Sequence, residues 1–347
     1  MSVKIYSIES LRKENRNKNI ETEIPYEVAG ETRRVPKKMV NGELEVPVLS
    51  KPAGELMTTD PGMEEMMEKV VLDVELGRER VPTVYEPIYD RLEDPNFPRI
   101  LDAKWALEGM CIFLKRLEGN DVKMGAIAAH EGPIARIESW AAGFEYTEEM
   151  VLYDHGFEVE VLNRAFGEAY NALLNHIHLF PIIDFNYTSD NQTSSEGEDG
   201  EPYALQIKKT LRQALKDCVN ARRPANTLLA SKEHAGDIED ALETMLYDGT
   251  EYASIGAIDN IIYYDGWQTK VGKKTYTYEG CPSDKAYLIR PNRGFKELVK
   301  VPLRIDGQPG PIRRLVEEQI VGRTHRGVFA AVEENVQEVN IDEVTNE

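Results

Sequence analysis

Cysteine is scarce. Cys111, Cys218 and Cys281 are odd in number, far apart and outside any C-x-x-C spacing. That pattern argues against a disulfide framework and points to small buried thiols in a reducing compartment. Basic charge is also in deficit: 41 Lys and Arg stand against 61 Asp and Glu, a formal charge of −20. A body of that sign is disfavoured for sequence-independent phosphate binding. The deficit is uneven. Met1–Asp60 holds ten bases and ten acids, whereas Glu333–Glu347 holds six acids and no base. No apolar run approaches the roughly 18 residues of a transmembrane helix, so no membrane association is expected. MSVKIYSIESLRKENRNK at the start has no apolar core, so no secretory signal is expected there.

Catalytic signatures are missing as well. No G-x-S-x-G, H-E-x-x-H, P-loop or strand-following G-x-G-x-x-G occurs. His176 and His178 lie two apart on a helical stretch, about 200° from each other, and cannot share a metal there. His130-Glu131 has no visible third ligand. His325 lies between Arg323 and Arg326, a local basic cluster that could contact an anion or a partner's acid. RPNRG (Arg290–Gly294) could cradle a phosphate or simply turn between strands. GEDGE (Gly197–Glu201) lacks the register and closing Glu of a calcium loop. No metal or cofactor is expected; the enzyme alternative is an intracellular metal- or phosphate-dependent one using His130, Glu131 or Arg290.

What is present is long enough to bury a sizeable core, at 347 residues with 41% apolar content. The first ~60 residues mix charges with Pro25, Pro36, Pro47 and Pro52 and lack a sustained period, as an arm without its own core would. Gly62–Leu76 reads as a helix, and Pro82–Leu101 as a proline-punctuated extended stretch. Met110–Glu118 and Pro133–Ala141 read as two amphipathic strands around a glycine-bearing tip. Glu158–Phe180 is the clearest helix. Val159, Leu162, Phe166, Ala169, Tyr170, Leu173, Leu174, Ile177 and Phe180 form its predicted apolar stripe, and Pro181 is its predicted stop. The polar stretch Asn186–Pro202 reads as a boundary loop. A helix from Leu205 to Cys218 follows, ended by Arg222, Arg223 and Pro224, whose charges suit the helix dipole. Then come a strand at Asn226–Ala230, a helix at Asp237–Leu246, a buried strand within Ile255–Tyr264, a polar hairpin and a strand at Ala286–Arg290. Helices and strands are segregated, so the fold class is α+β.

Five stretches carry a resemblance: LEGNDVKMGAIAAHEG and IESWAAGFEYTEEM before the long helix, RRPANTLLASKEHAGDIEDAL, SIGAIDNIIYYDGW, and VGRTHRGVFAAVEEN near the end. Over roughly Ala103–Ile341 their order resembles the major capsid proteins of tailed bacteriophages, the HK-97-type fold. The resemblance implies an N-terminal arm (1–81), an extended link (82–108) and an E-loop hairpin (109–141). It further implies a peripheral (P) domain with the spine helix (142–202), an axial (A) domain (203–302), and strands returning to the P domain (303–347). It implies a non-enzymatic virion subunit, assembled in the host cytoplasm into hexamers and pentamers around double-stranded DNA, without sequence-specific binding. A separate scaffolding protein and a portal are implied partners. Lys123, His130, Arg136 and Glu138 are the implied inter-subunit contacts. An encapsulin-like compartment shell is the same-fold alternative.

Overall fold

The computed structural model describes residues 21–28, 31–40, 43–45, 62–102, 109–110, 126–127, 134–147, 158–309 and 316–344. Three strands, β1 (Glu21–Val28), β2 (Glu31–Val40) and β3 (Glu43–Glu45), precede helix α1 (Gly62–Arg78). Short strands follow: β4 (Asp90–Glu93), β5 (Ile100–Asp102), β6 (Gly109–Met110), β7 (Ala126–Ile127) and β8 (Ile134–Arg136). Strand β9 (Glu138–Thr147) leads to the 26-residue helix α2 (Glu158–Ile183). Next come β10 (Gln192–Thr193), α3 (Tyr203–Asn220), β11 (Thr227–Ala230), α4 (Ala235–Leu242), β12 (Met245–Tyr247) and β13 (Thr250–Tyr252). Strands β14 (Asn260–Tyr263), β15 (Gly266–Val271), β16 (Lys274–Glu279) and β17 (Lys285–Ile289) precede the long β18 (Phe295–Pro309) and β19 (Val316–Ala330). A short α5 (Val332–Asn335) and β20 (Val336–Asn340) complete an α+β chain. It divides into two compact units. One comprises Met1–Pro82, Glu138–Leu173 and Lys300–Arg326; the other comprises Thr83–Ile137, Leu174–Val299 and Gly327–Glu347.

In the first unit, β1, β2 and β3 form an antiparallel meander, with Val28 opposite Glu31 and Val40 opposite Glu43. The expectation of an arm with no regular period is corrected here. Ile24, Tyr26 and Val28 do alternate, but over too few residues, and around Pro25, to stand out from the charges. Helices α1 and α2 touch backbone to backbone. A Cβ on Gly167 would lie 2.0 Å from the Val74 carbonyl oxygen, and one on Gly77 would lie 2.0 Å from that of Arg164. Only hydrogen side chains permit this approach. Asn171 secures the crossing: its amide donates to the Arg78 and Val81 carbonyls at 2.8 and 2.9 Å, and its Oδ1 accepts from Arg78 Nε at 3.0 Å. Those bonds satisfy carbonyls that a helix end leaves open.

The buried face of α2 differs from the predicted one. Val159, Tyr170 and Leu174 of the predicted stripe are buried, but Asn163, Gly167 and Asn171 are buried with them at four-residue steps from Val159, whereas Leu162, Phe166, Ala169 and Leu173 are half-buried. Asn163 links two other buried groups. Tyr146 donates to its Oδ1 at 2.5 Å, and its Nδ2 donates to Asp73 Oδ2 at 3.3 Å. Burial pushes the Asp73 carboxyl up from 3.8 to about 6, with the buried Lys69 opposing the shift. Strands β9 and β19 pair antiparallel from Val316 opposite Thr147 to Arg326 opposite Glu138. Gly322 leaves room for the Phe166 ring, and Tyr170 lies between the guanidinium groups of Arg78 and Arg326, 5.3 and 5.7 Å away.

The second unit is built on a mixed five-stranded sheet in the order β10-β20-β17-β11-β14. Strand β17 runs antiparallel to β11 and β20, while β11–β14 and β10–β20 are parallel pairs. Four successive residues of β11 are buried, as a strand covered on both faces must be. One face of α3 (Ile207, Leu211, Ala214, Cys218) joins Ile238 and Ala241 of α4 against Leu228, Ala230 and Leu288 of the sheet. Fully burying a leucine such as Leu211 or Leu288 is worth about 1.5–3 kcal/mol. Lys208 is fully buried too; its ammonium donates to the Ala241 and Glu243 carbonyls and closes the end of α4.

Several expectations change in this unit. Pro181 does not stop α2, which runs to Ile183. Only one N–H is lost in the last turn, Asp184 N–H still reaches the Phe180 carbonyl, and Tyr187 donates to that of Ile182. The polar stretch 186–202 contributes β10 to the sheet instead of only marking a boundary. Helix α4 ends at Leu242, and Met245 belongs to a hairpin strand. Strand β14 is an edge strand: Ile262 is buried but Ile261 is 36% exposed. Arg223 is no simple dipole partner. It is buried and donates to Asn191 Oδ1, Gln337 Oε1 and the Asp190 and Glu333 carbonyls. Residues 303–347 divide, with β20 lying between β10 and β17 in this sheet.

Candidate functional site

Of the four predicted contact residues, Lys123 and His130 lie outside the described residues. Arg136 is exposed at the end of β8, opposite Ile100 of β5. Glu138 is exposed at the start of β9, opposite Arg326. Residues 111–118 of the expected hairpin with 133–141 lie outside the described residues. Gly109–Met110 pairs with Ala126–Ile127, Ile134–Arg136 with Ile100–Asp102, and Glu138–Thr147 with β19. Short apolar segments specify register weakly, so alternation alone could not select among these partners.

The places where chemistry could have resided prove to be packing. GRTHRG is a strand, so its residues alternate in direction: Thr324 and Arg326 are buried, and Arg323 pairs with Asp306 at 3.0 Å. It is therefore not a single basic face. RPNRG is a turn in which Asn292 (φ 65°) and Gly294 (φ 78°) adopt left-handed backbone and Asn292 N–H reaches the Ile88 carbonyl at 2.8 Å. Gln206 donates to the Glu198 and Glu201 carbonyls, so GEDGE forms the entry to α3. His176 stacks on Tyr278 at 4.5 Å, and burial lowers its pKa below 6.5, with Glu279 opposing.

The most enzyme-like cluster is one that sequence reasoning missed. His178 stacks on Tyr85 with ring centroids 3.7 Å apart, and Tyr89 donates to the His178 carbonyl at 2.6 Å. Its Nδ1 lies 2.7 Å from the Leu174 carbonyl. A carbonyl can only accept, so Nδ1 carries the proton and Nε2 faces Glu297 Oε1 at 3.7 Å. Tyr85 donates to the same carboxylate oxygen at 3.3 Å. Burial raises the Tyr89 phenol far above its ordinary value, which keeps it a donor. His178 and Tyr85 are 0% and 4% exposed, so no substrate reaches this cluster. It is a buried polar joint between α2, β18 and the 83–89 segment. Among the described residues no group of three or more His, Cys, Asp or Glu could hold a metal ion, and no helix is long and apolar enough to cross a membrane.

No family model matches the sequence, and no curated protein matches it. Among solved structures, the chain is similar to a virus-like particle from Pyrococcus furiosus, with 10% identity and a TM-score of 0.48, covering 79% of this chain and 98% of that one. It is similar to the mature capsid of bacteriophage PhiM1, with 11% identity and a TM-score of 0.49, covering 75% and 87%. A third is the holo-SrpI encapsulin complex from Synechococcus elongatus, with 9% identity and a TM-score of 0.40, covering 62% and 78%.

Proposed function

We propose that this chain is the structural subunit of an icosahedral shell, a major capsid protein of the HK-97 type. It assembles into hexamers and pentamers around double-stranded DNA. The observation that carries this reading is the order of the elements. An N-terminal strand-and-helix segment, a stretch of short strands, a 26-residue helix, a compact α/β module and two returning 15-residue strands follow one another. That is the order on which the sequence resemblance rests. The β15–β16 hairpin adds support. Nearly all its positions are exposed or half-exposed, including Val271 at 64% and Tyr276 at 45%. Two-stranded ribbons are marginal in water, and a neighbouring copy would supply the missing cover.

In this reading, residues 109–141 are the E-loop lying on an adjacent subunit, through Lys123, His130, Arg136 and Glu138. Helix α2 is the spine, residues 203–302 gather around the symmetry axes, and the subunit resides in a virion assembled in the host cytoplasm. A scaffolding protein and a portal act as separate partners, and the net charge of −20 keeps packaged DNA from adhering to the wall. Sedimentation of the expressed chain tests the proposal. Material of shell size supports it, and a monodisperse small oligomer under all scaffold and salt conditions refutes it.

A further inference from the structure

One end of the five-stranded sheet carries a cavity that the shell reading does not use. Its volume is about 530 Å³, and its walls include Asn191, Arg222, Arg223, Arg290, Glu333 and Glu334. That size suits a small ligand. Three arginines and two glutamates line it, in a chain whose overall charge is strongly negative.

Arg223 is the fixed element. It is only 9% exposed, and its two terminal nitrogens are held by four acceptors, two side-chain oxygens and two backbone carbonyls. Its remaining donor, the Nε–H, is buried and has no hydrogen-bond partner. A buried donor of a charged group left without an acceptor is costly, so an oxygen atom supplied from the cavity would be stabilising.

Arg222 is the second element, and its backbone is unusual. It follows the last turn of α3 with φ 59°, the left-handed region that favours glycine. Its N–H reaches the Val219 carbonyl at 3.0 Å, and Arg223 N–H reaches that of Cys218 at 2.9 Å. That pair of bonds is the helix-closing arrangement in which glycine is the usual occupant. The arginine side chain is exposed and makes no hydrogen bond or ion pair among the described residues. Backbone strain is thus carried at a position whose side chain has no polar partner among the described residues.

We infer that this cavity binds a small oxyanion between Arg222 and Arg223. Guanidinium forks match the paired oxygens of phosphate and carboxylate. Glu333 and Glu334, also in the lining, repel extended polyanions, which restricts the site to a single anionic group. The anion is either free phosphate or a carboxylate side chain of a second copy; only the second source depends on the shell reading.

Arg222→Gly is the discriminating variant, because glycine relieves the strained backbone while removing one guanidinium. Without added anion it should unfold at the same temperature as the parent or higher, so lost binding cannot be mistaken for misfolding. Full-length parent and variant are heated in sodium phosphate and in sodium chloride of equal ionic strength, and phosphate affinity is measured by calorimetry. The free-ion source predicts that phosphate raises the parent's unfolding temperature and binds the variant at least tenfold more weakly. The second-copy source predicts self-association that phosphate weakens in the parent and that Arg222→Gly abolishes, read by sedimentation. Equal phosphate shifts in both proteins, or no shift in either together with phosphate-insensitive association, would overturn the inference. Because the calorimetric arm reads the chain alone, its failure is separable from a failure to form shells.

Discussion

Gly167→Ala places a methyl group where two helix backbones already touch. The new Cβ would lie 2.0 Å from the Val74 carbonyl oxygen and 2.8 Å from Arg78 N. Ordinary carbon–oxygen contact begins more than an ångström farther out, and neither obstructing atom is the end of a flexible side chain. Helix α1 must therefore shift, and the bonds from Asn171 to the Arg78 and Val81 carbonyls shift with it. Overpacking of a tight core costs typically about 1–3 kcal/mol, and the weakened Asn171 bonds add about 0.5–1.5 kcal/mol each. Alanine's helix propensity returns up to about 1 kcal/mol. The net expectation is a loss of about 2–4 kcal/mol. Gly236→Ala is the control: it lies in α4 with nothing within 4 Å of its Cβ position, so the same substitution should be neutral or stabilising by up to about 1 kcal/mol. Gly77→Ala should resemble Gly167→Ala, and the double variant should lose less than the sum, because one displacement relieves both clashes. Thermal and urea unfolding of the four variants reads this directly. A Gly167→Ala chain as stable as the parent would refute the backbone-contact reasoning.

Stability should fall as pH rises through about 4 to 6. In that window the folded chain holds the Asp73 proton that the unfolded chain has released; the shift from 3.8 to about 6 corresponds to about 3 kcal/mol in total. Urea midpoints across pH 4–8 should show that slope, and Asp73→Asn should remove it. Arg223→Ala strips donors from Asn191, Gln337 and two carbonyls in a buried network, and should cost about 3–5 kcal/mol in denaturant unfolding. Lys123→Glu and His130→Asp should leave the unfolding temperature of dissociated subunits nearly unchanged while reducing shell yield on a gradient. A subunit that unfolds earlier yet assembles normally would contradict their proposed contact role.

Periodic elements were legible in the sequence. Helices α1 and α3, strand β11 and the β15–β16 hairpin lie close to where pattern and turn residues put them. The long helix was legible as a helix, but only part of its inward face was, at Val159, Tyr170 and Leu174. Asn163, Asn171 and Asn175 are buried, and an apolar stripe search gives such positions no weight. Gly167 within that four-residue series was the available signal, since a mid-helix glycine often marks close backbone approach. Nothing local in the sequence marks Lys208 and Arg223 as buried, because their acceptors come from segments distant in the chain. Strand β10 is two residues long inside a polar stretch, and only its partner β20 makes it a strand. The cavity's basic wall was visible as Arg222-Arg223 at a helix end. The acidic part of its lining, Glu333 and Glu334, is joined to it only by tertiary folding.

The central claim is that copies of this chain complete one another in a closed shell. Single-particle electron microscopy of the expressed full-length chain, imaged with and without a scaffolding partner, tests it most directly. Closed icosahedral particles, with the tip at residues 111–133 of each subunit lying on a neighbour, are the predicted result. Discrete small oligomers under both conditions, with that segment folded back on its own chain, would contradict it.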